Sequence, residues 1–341
     1  MRSIVFFLAV TASCGLAGEL GTEPLNINKS DDAKEKSYKL YVGEQEYRLP
    51  FKTRLSEPFK EGQTIHAVGR ISKDPQRIDF NFHRGPAKDA VMPLHLSIRF
   101  DEGLFSGKIV YNTFKDGNWS EKEERISSPY KAEEVFDIRV RIIGGKYKVY
   151  GNRKEIGTFD QRETLEGVDH VSINGDLDSL RVFHYGGTVF PNPYTAVAKV
   201  GVGKRLDVSG MPTGKKFNVN LYRANMEYAL QLSIRYNEGV IVRNAMVNNE
   251  WGKEEREGGF PLSKNEIFDL TIINENYSFQ IFINGKRFTT FAHRGAPNDV
   301  ETLEIEGNVE LQTVTINDAV PKQFSITNTF SPEELDEHMH Y

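Results

Sequence analysis

Apolar and polar residues alternate along much of the chain with a period of two, which marks strands that bury one face. The alternation is clear over residues 268–272 and 305–311, and turn residues recur every 8 to 12 positions. Asn284-Gly285 lies between two strand-like runs and is typical of a type I′ hairpin turn, because both turn positions need positive φ. The pattern predicts an antiparallel β-sandwich. A helix is predicted only near the C-terminus, over residues 333–335 after Ser331.

A long internal repeat divides the chain into two similar copies. Leu96–Gly103 recurs as Leu232–Gly239, and Lys122–Arg125 recurs as Lys253–Arg256. The offset between matching segments is nearly constant, apart from a few extra residues in copy one. Such a long period is not that of a solenoid and is typical of two tandem domains. The predicted boundary between them is Pro191-Asn192-Pro193.

The N-terminal segment differs in composition from the repeats. Arg2 precedes the apolar run Ile4–Val10, and small residues follow as far as Ala17, as in a secretory signal peptide. A buried N-terminal strand is the alternative interpretation. The polar, charged residues that follow predict a flexible spacer. The expected organisation is a signal peptide at 1–17, a spacer at 18–45, domains at 46–187 and 188–319, and a tail at 320–341.

Charge and composition narrow the possible functions. The 341 residues include 43 Lys and Arg against 48 Asp and Glu, a net charge of −5 without any basic run, so nucleic-acid binding is set aside. Cys14 is the one cysteine, so no intrachain disulfide can form. No segment reaches 18 consecutive apolar residues, so no membrane span is predicted. With the signal-like N-terminus, we therefore expect a secreted protein without a membrane span.

Each copy places polar side chains beside a tryptophan. In copy two, Gln231, Ser233 and Arg235 occupy alternate positions of one strand and share a face. Asn244 is expected on the next strand, and Trp251 follows it. Sugar hydroxyls both donate and accept hydrogen bonds, which amide, hydroxyl and guanidinium groups match, and the C–H face of a pyranose packs flat on an indole. This face is therefore predicted to bind a sugar.

These motifs resemble those of the galectins, a family of β-galactoside-binding lectins, in their tandem-repeat form. The family signature is His-x-Asn-Pro-Arg, then Val-x-Asn, then Trp-x-x-Glu-x-Arg. Copy two contains Val242–Asn244 and Trp251–Arg256 without a gap. It departs from the signature at Gln231, in place of histidine, and at Ser233-Ile234, in place of Asn-Pro.

Copy one shows a different set of departures. It keeps His95 and the following arginine but has Ser97-Ile98 in place of Asn-Pro, and one extra residue separates Trp119 from Glu123. The resemblance covers residues 46–319, so it includes nearly all of the chain after the spacer.

The resemblance implies an all-β fold of two tandem antiparallel jelly-roll sandwiches. It also implies a bivalent, non-enzymatic lectin, without cofactor or metal, that binds β-galactoside glycans on glycoproteins or glycolipids and crosslinks them. The candidate sugar-binding residues are His95, Ser97, Arg99, Asn112, Trp119, Glu123 and Arg125 in copy one, and Gln231, Ser233, Arg235, Asn244, Trp251, Glu254 and Arg256 in copy two.

The resemblance also implies a role for each group. His95 and Arg99 bind the axial hydroxyl that distinguishes galactose from glucose, Asn112 binds the primary hydroxyl, and Trp119 stacks under the ring. The Glu-x-Arg pair holds the next sugar, and copy two does likewise. The serines are shorter than asparagine and reach the sugar through water or lose a bond. Gln231 offers the sugar either an oxygen or an NH₂ group.

Two alternatives to a lectin follow from the same residues. A glycosidase is disfavoured, because Glu123–Glu124 and Glu254–Glu255 are chain neighbours that point to opposite faces of a strand and cannot flank one glycosidic bond. Signatures of hydrolases, zinc proteases and phosphate loops are absent from the sequence. The other alternative is a sandwich scaffold that has lost sugar binding and binds protein, because both first motifs are altered.

Overall fold

The computed structural model describes residues 38–102 and 107–319, and every regular element within them is a β-strand. The predicted signal peptide, the C-terminal tail and its short helix lie outside the described residues. No helix in the described part of the chain is long and apolar enough to cross a membrane.

Copy one forms two antiparallel sheets. Its strands are β1 Glu44–Tyr47, β2 Phe51–Arg54, β3 Thr64–Ile71, β4 Arg77–His83, β5 Met92–Arg99, β6 Lys108–Lys115, β7 Asn118–Trp119, β8 Glu124–Ser127, β9 Val135–Ile143, β10 Lys146–Gly151, β11 Lys154–Asp160, β12 His170–Gly175 and β13 Leu177–Gly186. One sheet, here called back sheet 1, has the order β1-β13-β3-β9-β10-β11. The other, site sheet 1, has the order β2-β12-β4-β5-β6-β7, with β8 beside β6.

Strand β9 shows how the alternation builds the sandwich. Phe136, Ile138 and Val140 are fully buried in the core between the two sheets. Arg139 and Arg141 alternate with them and therefore lie on the opposite face of back sheet 1. The fold class predicted from the period of two is confirmed.

Copy two repeats the sandwich with two long strands that run through both sheets. Its strands are β14 Tyr194–Val197, β15 Lys204–Arg223, β16 Tyr228–Arg235, β17 Val240–Asn244, β18 Met246–Val247, β19 Glu250–Trp251, β20 Phe268–Asn274, β21 Ser278–Ile283, β22 Lys286–Ala292 and β23 Val300–Asp318. The first half of β15 pairs with β20, and its second half pairs with β16. Back sheet 2 therefore contains β20, β21, β22, the first half of β15 and the second half of β23. Site sheet 2 contains β14, β16, β17, the second half of β15 and the first half of β23.

A glycine in each copy carries the chain from the site sheet to the back sheet. Gly175 has φ of 106°, and a Cβ there would lie 2.1 Å from the Arg77 carbonyl oxygen. Gly307 is its counterpart in copy two, with φ of 100°, and its Cβ would lie 2.8 Å from the Lys216 carbonyl oxygen. Both the backbone conformation and the close approach require glycine, so the crossover is built in the same way twice.

Residues 38–45, whose composition predicts a spacer, are part of the folded structure. Tyr38 is buried and its hydroxyl donates to Glu275, while Arg205 donates to the Lys39 carbonyl at 2.7 Å. Strand β1 then pairs with β13 at the edge of back sheet 1. The buried ring and the backbone pairing order this polar segment, and it contacts both domains.

The two back sheets pack against each other through a layer of charged side chains. Arg139 on β9 is 1% exposed and donates to both Asp269 oxygens on β20, at 2.9 and 2.8 Å, and to Ser209 Oγ at 3.0 Å. Arg153 donates to the same carboxylate at 2.8 Å. Burial alone would raise the pKa of Asp269, but the Arg139 and Arg153 guanidinium groups hold it well below its usual range.

This contact determines which faces of the protein remain open. Arg141 adds hydrogen bonds from β9 to Glu310 at 3.1 Å and to the Leu311 carbonyl at 3.2 Å, both on β23. Because the back sheets cover each other, the two site sheets are the outer layers of a four-layer stack. Their outer faces therefore point away from one another.

Replacing Asp269 with alanine removes the carboxylate that binds both ends of the buried Arg139 guanidinium and leaves it only the Asp137 carboxylate, at 3.5 Å, so we expect the free energy of unfolding to fall by about 3 kcal/mol. Urea denaturation of the full-length protein measures the change. Asp160→Ala is the matched control, because that carboxylate forms an exposed ion pair with Lys146, and surface pairs contribute roughly 0–1 kcal/mol. Equal losses in the two variants would contradict a buried charge pair between the domains.

Candidate carbohydrate-binding sites

The three motifs of copy one converge on the outer face of site sheet 1. His95, Ser97 and Arg99 lie on this face of β5, because the alternate residues of the strand are buried in the core. Strand register places Asn112 on β6 directly opposite His95. The ring of Trp119 lies 4.6 Å from the ring of His95, and this tryptophan is 47% exposed. An exposed indole therefore stands beside a row of polar groups.

Charged side chains at one end of this row form a connected chain. Arg99 Nη1 donates to Glu102 Oε1 at 2.7 Å, and Arg125 Nη1 donates to Glu102 Oε2 at 2.5 Å. Arg125 Nε also donates to Glu123 Oε1 at 2.7 Å. The hydrogen bond from Arg99 holds the pKa of Glu102 below its ordinary value. Two positive and two negative charges cancel here, which suits a neutral ligand.

Copy two builds the same arrangement on site sheet 2. Gln231, Ser233 and Arg235 lie along β16, and Gln231 is opposite Asn244 on β17. Trp251 is 46% exposed and its ring lies 4.6 Å from the ring of Tyr228. The tryptophan again stands at the edge of the polar row, here beside Tyr228, whereas Trp119 lies beside His95 and Phe114.

The charged chain of copy two includes an additional contact. Arg256 donates to Glu238 at 2.5 Å and to Glu254 at 3.1 Å, while Arg235 reaches both carboxylates at 3.4 Å. The hydrogen bond from Arg256 lowers the pKa of Glu238, so this carboxylate stays ionised at neutral pH. All seven predicted residues of each copy thus lie in one cluster.

Ser97 and Ser233, which occupy the place of the family asparagine, lie underneath the polar row. They are 0% and 1% exposed. Their hydroxyl oxygens accept hydrogen bonds from Arg99 Nε at 3.4 Å and from Arg235 Nε at 3.1 Å. The serines therefore hold the arginines in position, instead of projecting toward the space where a ligand would lie.

His95 presents a hydrogen-bond acceptor to the outer face. Its Nδ1 lies 2.6 Å from Asn81 Oδ1, and Asn81 Nδ2 donates to Ser172 Oγ at 3.3 Å. Because the Asn81 oxygen can only accept, Nδ1 carries the proton and Nε2 is an acceptor, which Arg77 Nη2 contacts at 3.5 Å. Burial, with the Arg77 and Arg99 charges, lowers the pKa of His95 to about 4, so the imidazole is neutral at pH 7.

Gln231 supplies the equivalent acceptor in copy two. Its Nε2 donates to Asn220 Oδ1 at 3.2 Å, and Asn220 Nδ2 donates in turn to Glu304 Oε1 at 3.0 Å. This contact turns the Gln231 amide so that its oxygen is available to accept from a ligand, beside the second N–H of its NH₂ group. Glutamine thus reproduces the acceptor of His95 without its ionisable ring.

Sequence reasoning missed three pairs of residues that organise these sites. They are Glu102 and Glu238, Asn81 and Asn220, and Arg162 and Arg294. The glutamates lie inside the repeated segments noted above, so the repeat itself was the signal for them. The asparagines lie on neighbouring strands outside any motif, and only strand pairing brings them to the site.

Comparison with known proteins agrees with this geometry. The family model for galactoside-binding lectins matches twice, at residues 50–185 and 192–316. A 32 kDa β-galactoside-binding lectin of Haemonchus contortus is 42% identical over 274 residues, covering 79% of this chain and 95% of the relative. One of the same description from Caenorhabditis elegans is 41% identical over 276 residues, covering 79% and 97%. Human galectin-4 is 27% identical over 310 residues, covering 79% and 95%.

Two jelly-roll sandwiches, each with a polar row and an exposed tryptophan, define a protein of two carbohydrate-recognition folds in tandem. The chain belongs to the galactoside-binding lectin family, the galectins. The resemblance drawn from the sequence motifs is confirmed.

The lowered pKa of His95, about 4, keeps its imidazole neutral from pH 7 to pH 5, so we predict that lactose binding by copy one is nearly constant over this range. Below that range Nε2 takes up a proton and can no longer accept, so affinity falls. A histidine with an ordinary pKa of about 6.5 would leave only roughly 3% of the neutral form at pH 5. Calorimetry on full-length Trp251→Ala, which retains copy one alone, measures the profile.

Full-length Trp119→Ala is the control for this titration, since its remaining site has Gln231 at the equivalent position. Its affinity for lactose should show no change with pH that is caused by Gln231. A several-fold loss of affinity between pH 7 and pH 5 at copy one would contradict the lowered pKa.

Proposed function

We propose that this protein is a bivalent β-galactoside-binding lectin that crosslinks galactose-bearing glycoproteins or glycolipids. The observation that carries the proposal is the pair of exposed tryptophans, Trp119 and Trp251, each beside a row of oriented polar groups on an outer face of the molecule. Two of the relatives are themselves described as β-galactoside-binding lectins.

Each group in the site has a function in binding the sugar. The acceptor atoms of His95 and Gln231 receive the axial hydroxyl, the guanidinium groups donate to the same region, and the indole stacks under the ring. Asn112 and Asn244 bind the primary hydroxyl. The Arg–Glu chain around Glu102 or its counterpart holds the next sugar of a disaccharide.

The packing of the back sheets favours bridging over chelation. A site with few hydrogen bonds and one stacking contact binds weakly, at roughly −4 to −6 kcal/mol. Linking two such sites raises the avidity on a dense glycan surface by roughly 10²-fold or more. Because the sites open in opposite directions, each molecule joins two glycan-bearing surfaces instead of gripping one small glycan.

The site geometry also weighs against a glycosidase. The carboxylates of Glu123 and Glu254 are engaged by arginines, and the neighbouring Glu124 and Glu255 turn toward Arg162 and other arginines outside the row. These carboxylates are engaged as hydrogen-bond acceptors by guanidinium groups, so they are not placed as a catalytic pair on either side of one glycosidic bond. A lectin is held by lactose–agarose and released intact by lactose, a scaffold flows through, and a glycosidase cleaves an aryl galactoside.

Removing either tryptophan should abolish agglutination of galactose-bearing cells, because one site per molecule cannot bridge two surfaces. Full-length Trp119→Ala and Trp251→Ala should each still be retained on lactose–agarose, and the double variant should flow through. Tyr277→Ala, which removes an aromatic that is 87% exposed on a hairpin of back sheet 2, should behave like the unmodified protein. Agglutination that survives in the double variant, or that needs calcium, would refute the proposal.

We also propose that the protein is secreted, on the basis of the signal-like composition of residues 1–17. Expression in eukaryotic cells followed by N-terminal sequencing of the protein in the medium should give a chain that begins near Gly18. Protein that is retained in the cells with Met1 in place would contradict secretion by this route.

A further inference from the structure

One arginine in each copy contacts the asparagine of the second motif from behind. Arg294 Nη1 donates to Asn244 Oδ1 at 2.7 Å, and Arg162 Nη1 reaches Asn112 Oδ1 at 3.5 Å. The two arginines occupy equivalent positions in the two copies, since each lies just after the last strand of its back-sheet hairpin, β22 or β11. The same contact is therefore present twice, and it is shorter in copy two.

This contact fixes which way the asparagine amide points. Asn244 Oδ1 also accepts from the Ala245 backbone N–H at 2.9 Å, and Asn244 Nδ2 donates to the Gly252 carbonyl at 2.9 Å. A guanidinium and a backbone N–H can only donate, so the amide oxygen must face them. One N–H of the amide is thereby left over, and it is the hydrogen-bonding direction that Asn244 still offers to a ligand.

The amide of copy one is arranged in the same way. Asn112 Oδ1 accepts from the Thr113 N–H at 2.8 Å, and Asn112 Nδ2 donates to the Ser120 carbonyl at 3.1 Å. Both asparagines are mostly buried, at 5% and 7% exposed. Each site therefore presents a single donor at this position.

The arginines are themselves rigidly held. Arg294 Nη2 donates to the Lys253 carbonyl at 2.7 Å and to Glu255 at 3.1 Å, and its guanidinium lies 4.7 Å from the centre of the Phe291 ring. The equivalent Arg162 donates to Glu124 at 2.8 Å. The planar guanidinium of Arg294 thus links the loop that follows Trp251 to the Asn244 amide.

We propose that Arg294 and Arg162 are positioning residues that act with two backbone hydrogen bonds to hold the motif asparagine as a hydrogen-bond donor, and so strengthen the preference of each site for a sugar with a free primary hydroxyl. The proposal rests on the proposed function. Without the arginine, the amide keeps the Ala245 N–H and Gly252 carbonyl contacts but loses the third hydrogen bond to its oxygen, so the remaining N–H is held less firmly toward a ligand.

The test compares lactose with 6′-deoxylactose, which lacks the primary hydroxyl of galactose, by calorimetry on full-length Trp119→Ala. In this background, Arg294→Gln should weaken lactose binding about fivefold and leave 6′-deoxylactose binding within about twofold, so the preference between the two sugars narrows. Arg294→Lys keeps one donor and should retain an intermediate preference. Arg287→Gln, the same charge change on β22, should leave both affinities unchanged.

Three outcomes would overturn the proposal. Equal loss for both sugars in Arg294→Gln would show that the arginine only supports the fold, and an unchanged preference would show that it does not orient the amide. If Arg294→Gln fails to fold, Arg294→Lys decides by the same ratio. Absence of lactose binding in the Trp119→Ala parent would instead refute the proposed function at copy two, and the inference with it.

Copy one provides an independent check of the distance dependence. In full-length Trp251→Ala, the longer contact of Arg162 predicts a smaller effect, so Arg162→Gln should reduce the preference for lactose over 6′-deoxylactose by roughly two- to threefold. A larger loss of preference than that caused by Arg294→Gln at copy two would contradict the role assigned to this contact.

Discussion

Alternate residues of a β-strand belong to opposite faces, and this constraint governs every functional surface of the protein. In copy one, His95 lies in the polar row on the outer face of site sheet 1, while its neighbour Leu96 lies in the core. In the same way Arg139 belongs to the interface between the domains while Ile138 belongs to the core. A shift of one residue in the register of either strand would bury a polar group and expose an apolar one. Core, site and interface are therefore fixed together.

The polar rows of the two sites are oriented by buried residues that lie beneath them. Asn81 and Asn220 each accept a hydrogen bond from the side chain in front of them, so a histidine and a glutamine present the same kind of atom at the same place. Copy two therefore has glutamine instead of the family histidine at position 231, but still presents a hydrogen-bond acceptor there. Groups held in one orientation lose little freedom on binding, which matters most in a shallow site.

The sequence allowed the all-β fold, the duplication and both clusters of motif residues to be predicted, because all three depend on local period or on repetition. The interface was not predictable in this way. Arg139 and Asp269 occupy ordinary polar positions on alternating strands, and nothing near either residue in the chain indicates its distant partner. The burial of Tyr38 was not predicted, because the segment was judged by its average composition and most of its other residues are polar.

The interface between the domains is also asymmetric. Asp137 and Asp269 occupy equivalent places in the two copies, but the residue two positions later is Arg139 in the first and Thr271 in the second. The duplicated halves have thus diverged into unlike partners, since the first domain supplies the Arg139 guanidinium and the second supplies the Asp269 carboxylate that it binds. Each back sheet is occupied within its own chain, so the face gives no route to open-ended assembly.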